Sequence, residues 1–274
     1  MIIVLGASGQ LGTELLSACD DLALAHVGLT HADIEVENLA SVSTALAKYA
    51  GMLNLTVINT AAFHNVDACE KDGDRAFQVN CVGSQNVAQW CRQHGAKYVY
   101  ISTDYCQAGT ELPVSVYAKS KLAGELAALC VCPDALVVRA GTLYGFVGPK
   151  GKPDRKNFID VVVEKIKSQE PFDLPAYTSI VPTSAKNAAA KILKHLHYSG
   201  VVYAVDSYAA RSHYDLGCWL ALHLELPSRI RAVSYDPNDT IRPHKIDYQG
   251  DHFPSRPDGD DPIHEYLIEK GYIA

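Results

Sequence analysis

"MIIVLGASGQLGTELL" occupies residues 1–16. It opens as an unbroken apolar run, "IIVL" (2–5), passes through glycines at 6, 9 and 12, and then places apolar residues at helical spacing from 11 onward. A strand that runs through G-x-x-G-x-x-G into a helix is a particular chemical arrangement. The glycines allow a tight turn and let backbone approach a pyrophosphate closely. A helix opening near Gln10 then offers free N–H groups and the positive end of its dipole to that anion. Gly6, Ser8, Gly9, Gln10, Leu11 and Gly12 are therefore the candidate cofactor cradle. A glycine triplet alone could be a structural turn; what gives it meaning is the order strand, loop, helix.

The same order repeats outward. Apolar runs at 2–5, 22–29, 56–61, 97–102 and 135–141 alternate with helix-like segments at 11–18, 39–49, 74–94 and 117–129. Short continuous apolar strands separated by amphipathic helices predict an α/β fold, a Rossmann-like doubly wound parallel sheet covered on both faces. Beyond Tyr144 the alternation loosens. A Gly-, Pro- and Lys-rich loop precedes helix-like segments at 158–167, 184–197 and 214–224, and the apolar run 200–205 can return to the sheet. The polar stretch 234–262 holds five prolines and reads as extended surface chain, followed by a short helix at 263–270. The expected division is a nucleotide-binding domain at 1–145 and a smaller, interleaved substrate lobe at 146–274.

Composition limits the function. Of 274 residues, 48% are hydrophobic and 20% charged, which suits one large domain or two small ones. A net charge of -7 repels phosphate at long range and argues against nucleic-acid or anionic-membrane partners. No apolar run approaches the roughly 20 residues that span a bilayer. The first residues have no basic leader, so a cytoplasmic protein is expected. Eight cysteines without a C-x-x-C pair read as reduced thiols. The histidines of "HLH" (195–197) fall on different sides of a helix, so no metal site is expected.

A second stretch, "STDYCQAGTELPVSVYAKSK" (102–121), supplies reactive groups. Tyr117 and Lys121 are one helical turn apart and share a face. A free tyrosine titrates near pH 10, and a neighbouring ammonium favours its phenolate, so the pair reads as a tuned general acid for a ketone. Thr103 ends the preceding strand at the carboxyl edge, where ligands bind in such sheets, and can hold the same oxygen. The bland alternative is a surface helix with a snorkelling lysine; the glycine loop and "STD" together favour catalysis. Asp67 and Glu70 read as a solvated helix start rather than an acid/base pair. "KGKPDRK" (150–156) reads as a solvated basic loop that could also capture a diphosphate.

Taken together, "GASGQLGTEL" (6–15), "VINTAAFHNVDACE" (57–70), "AFQVN" (76–80), "YISTDY" (100–105), "YAKSKLAGE" (117–125), "VVRAGTLYG" (137–145), "NFI" (157–159) and "VPTSAKNAA" (181–189) resemble the extended short-chain dehydrogenase/reductase family, and within it the dTDP-4-dehydrorhamnose reductase branch. The resemblance covers most of residues 1–200. It implies NAD(P)H-dependent reduction of a nucleotide-linked 4-keto-6-deoxysugar. It implies Thr103, Tyr117 and Lys121 as the catalytic set, with Tyr117 and Lys121 also at the cofactor. Ala61 and Ala62 would line the cofactor, and His64, Asp104, Thr142 and Asn157 the substrate side. Three departures concern that side: a shorter segment between "STDY" and Tyr117, no tryptophan in "RAGTLYG", and "YTSIVPT" (177–183) in place of the family's D-Q-x-G-x-P-T. They leave the particular sugar open. Two other readings stay open: a nucleotide-sugar epimerase or dehydratase of the same superfamily, and a non-catalytic regulatory subunit resembling the beta subunit of methionine adenosyltransferase. The second strand ends "GLTHAD", so Asp33 comes late for a ribose contact and, with Ile34, is expected at the adenine. NADPH is the expected cofactor, with NADH also accepted; the expected partner is a nucleotide sugar, and a homodimer is compatible with these features.

Overall fold

The computed structural model describes residues 1–106, 113–146, 156–206, 210–234, 251–253 and 261–273. The basic loop 150–155, most of the segment after "STDY" (107–112) and most of the extended stretch 235–260 lie outside them. The core is a seven-stranded, all-parallel sheet. Its strands are β1 (Ile2–Leu5), β2 (His26–Leu29), β3 (Thr56–Asn59), β4 (Lys97–Thr103), β5 (Leu136–Ala140), then Gly200–Ala204 and Asp251–His252. From one edge to the other the order is Asp251–His252, Gly200–Ala204, β5, β4, β3, β1, β2. The chain therefore reverses direction across the sheet between β1 and β3, and a crevice opens at the carboxyl ends there.

The strand pattern builds two cores. Alternate side chains leave opposite faces of a strand. Ile2 and Val4 join Leu11, Leu15, Ala188 and Ile192 under α1 (Gln10–Asp21) and the helix Ala185–Lys194. Ile3 and Leu5 join Val42, Val87, Trp90 and Ala128 on the other face. Ile3, Val4 and Leu5 are wholly buried, and each such side chain contributes about 1.5–3 kcal/mol. A third core lies outside the sheet. It packs Tyr144, Ile159, Val163, Leu216 and Ile230 against Ile263, Tyr266 and Leu267 of the last helix, Pro262–Glu269.

Two elements depart from the periodicity. The apolar run 22–29 is a strand only from His26, because α1 continues to Asp21 and ends with Ala23 in the left-handed region (φ 50). The Leu24 N–H reaches the Cys19 carbonyl at 2.9 Å to close that end, leaving Leu22 and Leu24 exposed. The helix expected over 74–94 is interrupted. Gly73–Phe77 passes through a π-helical turn, Gln78–Val82, before Gly83–His94 resumes. The turn holds Asn80, wholly buried. Its side chain bonds both backbone groups of Phe63, at 2.9 and 3.0 Å, and the Ser120 hydroxyl at 2.9 Å. Local insertions of this kind often mark functional regions.

The helix Val116–Val131, here called α6 in chain order after α1 (Gln10–Asp21), α2 (Leu39–Leu46), α3 (Val66–Lys71), α4 (Gly73–Phe77) and α5 (Gly83–His94), carries the Tyr/Lys pair. Its start is capped twice. Ser115 accepts from the Ala118 N–H at 3.1 Å, and Glu70 accepts from the Val116 N–H at 2.7 Å. Glu70 thus caps a helix. At its centre Gly124 lies against backbone: a Cβ there would stand 2.2 Å from the Asn80 carbonyl oxygen and 2.5 Å from the Tyr100 hydroxyl. All eight cysteines are free thiols. Among the described residues no metal-binding cluster occurs and no helix is long and apolar enough to cross a membrane.

Gly124→Ala is expected to destabilise the protein by about 1–3 kcal/mol, the cost of overpacking, because the backbone of the π-turn cannot yield as a side chain would. Thermal unfolding measures it; a melting temperature equal to wild type would show that α6 is free to move away.

Candidate active site

The glycine loop forms as the sequence predicts. Gly6 has φ +75, and a Cβ there would stand 2.6 Å from the Thr60 Oγ1 and 2.9 Å from the Ala61 nitrogen. The Thr60 hydroxyl donates to the Leu5 carbonyl at 2.7 Å and so ties the end of β3 to the loop. A Cβ on Gly12 would stand 2.4 Å from the Gly6 carbonyl oxygen, so the first turn of α1 sits directly on the loop. Gly9 is the N-cap of α1 and supplies no side-chain cap. The helix entrance is therefore left open toward Ser8, which is exposed. Gln10 has its side-chain Nε2 buried with no hydrogen-bond partner. Leu11 is buried in the core beneath α1, so only its backbone can face a ligand. Ala61 and Ala62 follow β3, half-buried, at the same crevice; the Ala61 N–H donates to Asn59 Oδ1 at 3.1 Å.

At the end of β2, Asp33 is exposed and turned back on its own loop. Its Oδ2 accepts from the Thr30 N–H at 2.8 Å and from the Thr30 hydroxyl at 2.7 Å. The backbone bond, followed by the hydroxyl bond, holds its acidity below the usual carboxylate range. Ile34, expected at the adenine, is 4% exposed and packs its side chain in the core.

Thr103, Tyr117 and Lys121 come together at the carboxyl end of β4. The Thr103 hydroxyl donates to Asp104 Oδ1 at 3.2 Å and lies near enough to the Tyr117 phenol to act on its acidity. The Tyr117 ring meets Tyr105 edge-on, 6.3 Å between centroids. Burial pushes the Tyr117 hydroxyl well above its ordinary value, the buried Cys106 thiol adding to the rise and the Thr103 hydroxyl opposing it. This reverses the expected direction: among the protein's own groups the phenol is a firmly held proton. Lys121 follows one turn further along α6. It is 2% exposed, donates to the Ile101 carbonyl at 2.6 Å and stands 4.1 Å over the Tyr100 ring. Its ammonium is anchored on β4, and burial lowers its pKa to about 8.

The residues expected on the substrate side sit on four segments. Asp104 is buried beside Thr103. His64 is exposed on the loop after β3, and Thr142 is half-buried on a short strand, Thr142–Tyr144, that pairs with Pro182–Ser184. Asn157 is buried and fully engaged. It caps the helix Phe158–Ser168 in a reciprocal box with Asp160, and its amide donates to the Gly145 carbonyl at 3.0 Å and to the Tyr266 hydroxyl at 2.8 Å. Its amide is thus committed within the fold. Three residues at the site went unmarked in the sequence: Asn80, Glu125 and Arg139. Arg139 carries a signal, since a lone charge in an apolar strand needs a buried partner.

The family model described as RmlD substrate binding domain matches residues 1–245. The chain is 32% identical to the dTDP-4-dehydrorhamnose reductase of Mycobacterium tuberculosis over 55% of this chain and 52% of that one, so it aligns with about half the length of that relative. It is 29% identical to the dTDP-4-keto-6-deoxy-D-glucose reductase of Streptomyces niveus over 87% of this chain and 83% of that one. The crystal structure of dTDP-4-dehydrorhamnose reductase from Bacillus anthracis in complex with NADP superposes with a TM-score of 0.79 at 23% identity, covering 99% of this chain and 93% of that one.

Because Asp33 is committed to Thr30, it makes a weak selector at the ribose. Selectivity between NADPH and NADH is expected to stay within about tenfold, or 1.4 kcal/mol, in favour of NADPH. Comparing kcat/KM for the two cofactors measures it; a hundredfold preference either way contradicts this reading of the loop.

Proposed function

The chain belongs to the RmlD substrate binding domain family, and from that premise we propose that it is an NADPH-dependent reductase of a nucleotide-linked 4-keto-6-deoxysugar. The observation that carries the chemistry is the hydroxyl pair. The buried Thr103 hydroxyl and the half-buried Tyr117 phenol are neighbours, at the sheet edge where the glycine loop and the open entrance of α1 also end. The cradle suits a dinucleotide. Gly6 and Gly12 leave room only for backbone, the helix entrance is uncapped, and Gln10 keeps a buried donor without a partner. Gly6–Gly12 would hold the pyrophosphate, Ala61 and Ala62 the nicotinamide side, and Lys121 the adjoining ribose. NADPH, when bound there, supplies the hydride.

The protein's own groups do the rest. Thr103 orients the ketone oxygen toward the Tyr117 hydroxyl, and Tyr117 gives that oxygen its proton. Burial raises the phenol's pKa, so the acid carries its proton when substrate arrives. Lys121 stays cationic below about pH 8, which favours negative charge developing on the phenol. The proposal places the enzyme in the cytoplasm, with a nucleotide sugar as its partner. It is tested by mixing purified protein, NADPH and a dTDP-linked 4-keto-6-deoxysugar. Stoichiometric cofactor oxidation and a reduced sugar product are expected. Epimerisation or water loss without net NADPH consumption would place the chain with the neighbouring hydride-recycling enzymes.

Tyr117→Phe is expected to lower kcat by about 10²–10⁴-fold, the usual contribution of general acid catalysis, with the cofactor Kd almost unchanged; near-normal kcat would remove Tyr117 from the mechanism. Lys121 sets the alkaline limit. Its pKa is lowered, so the charged form is present below about pH 8 and lost above it. A profile of kcat/KM should therefore fall on the alkaline side of that value, and a rate flat to pH 10 would assign the lysine no role as a cation.

A further inference from the structure

Two more charges are buried beneath the Tyr117–Thr103 pair. Glu125 is 2% exposed and lies one helical turn beyond Lys121 on α6. Both its oxygens are fixed. Arg139 of β5 donates from Nε to Oε1 at 2.9 Å and from a terminal nitrogen to Oε2 at 2.7 Å. The Ser102 hydroxyl, next to Thr103 on β4, donates to Oε1 at 2.5 Å. The remaining arm of Arg139 donates to the Tyr203 hydroxyl at 3.1 Å on the neighbouring strand. One carboxylate thus joins α6, β4, β5 and Gly200–Ala204.

Such a pair could be a brace and nothing more. The surroundings of Lys121 argue for a further role. From β4 it meets the Ile101 carbonyl and the Tyr100 ring, neither of which carries a full charge. From the turn after β4 it faces Cys106, whose thiol burial pushes far up and keeps neutral. On its own helix the residues one turn either side are Tyr117, whose pKa burial also raises, and Glu125. Cys106 and Glu125 are the groups whose charge acts on the lysine, so Glu125 is the full negative charge that does so among the described residues. We propose that Glu125 is a positioning residue for the reaction. Fixed by Arg139 and Ser102, its carboxylate lies one turn of α6 from Lys121 and, without pairing to it directly, keeps that lysine cationic. This deepens the reductase reading and rests on it for its catalytic meaning, but the electrostatic link can be measured without turnover.

Follow the Lys121 titration by NMR of protein carrying ¹³C-labelled lysine, assigned with Lys121→Arg, and record the kcat/KM profile in parallel. In Glu125→Gln, which keeps the shape and removes the charge, the Lys121 titration and the alkaline limb are expected to move together to lower pH by about one unit, the size of effect an opposite charge within a few ångström has. Glu125→Asp keeps the charge and should leave the Lys121 titration near wild type. A folded Glu125→Gln with an unmoved Lys121 titration overturns the proposal and leaves only the brace. If Glu125→Gln fails to fold because Arg139 is stranded, the double variant Glu125→Gln/Arg139→Gln removes both ends of the pair; loss of the cation opposes loss of the anion, so a smaller downward movement is expected, and a titration unmoved or moved to higher pH overturns the proposal. Should the wild type reduce no keto sugar, the NMR titration still decides the Glu125–Lys121 link, so the two readings fail separately.

Discussion

The site depends on how closely α6 approaches the sheet. Gly124 lets the helix rest on the Asn80 carbonyl and the Tyr100 hydroxyl, with no room for a Cβ between them. A glycine inside a helix costs about 0.5–1 kcal/mol relative to alanine. Here that cost is offset by the hydrogen bonds the contact permits: Tyr100 donates to the Asn80 carbonyl at 2.8 Å, and Ser84 donates to the Gly124 carbonyl at 3.0 Å. The approach fixes the height of everything on the same face. Tyr117 arrives beside Thr103, Lys121 over Tyr100, and Glu125 against Ser102 and Arg139. Three residues of one helix meet three of one strand because a fourth position on the helix has no side chain.

Charge burial follows from the same geometry. Lys121, Glu125 and Arg139 lie in one low-dielectric region, and stranding any of them is expensive while the set together is tolerable. The arrangement gives the region a net positive character close to the hydroxyl pair. The effect on Tyr117 is indirect. A sequence reading gives the lysine the task of lowering the phenol's pKa; in the folded protein Lys121 is committed to the Ile101 carbonyl, and burial raises the phenol instead. A raised phenol is a loaded acid, which is what a ketone reduction requires at its start. The difficulty moves to proton release, where a cation retained nearby matters most.

The sequence shows what local spacing can encode. The glycine loop, five strands and the Tyr/Lys face are all set by periods of two and 3.6 residues and by backbone freedom at single positions. What it hides is which surface lies across from a residue. Ile34 sits beside Asp33 in the chain, yet one is core and the other solvent-facing. Asn157 begins a helix, and its role is fixed by Tyr266, more than a hundred residues later. The π-turn at Gln78–Val82 leaves the apolar pattern of its helix almost unchanged. Its cause is Asn80 reaching across to Phe63 and Ser120, a contact that no window of local sequence contains.

The substrate side shows the same long-range logic with a consequence for chemistry. No tryptophan stands before Tyr144, and the aromatic surface there comes from the last helix instead: Tyr266 packs edge-on against Tyr144 and Phe146, at 5.1 and 5.6 Å between centroids. That helix is held by one buried carboxylate. Asp160 accepts from the Tyr266 hydroxyl at 2.6 Å, from the Tyr272 hydroxyl at 3.0 Å and from the Asn157 N–H at 3.2 Å, with Lys270 at 3.9 Å. Desolvating a carboxylate is costly unless its lone pairs are filled, and here partners from three places fill them. The wall beside Thr142 is therefore not a free loop that a sugar could reshape. It is a joint between the helix entrance at Asn157 and the end of the chain, and its rigidity is set by hydrogen bonds to a single side chain. Discrimination between sugars on this side must come from what the joint leaves uncovered, since Asn157 itself has no donor left to offer.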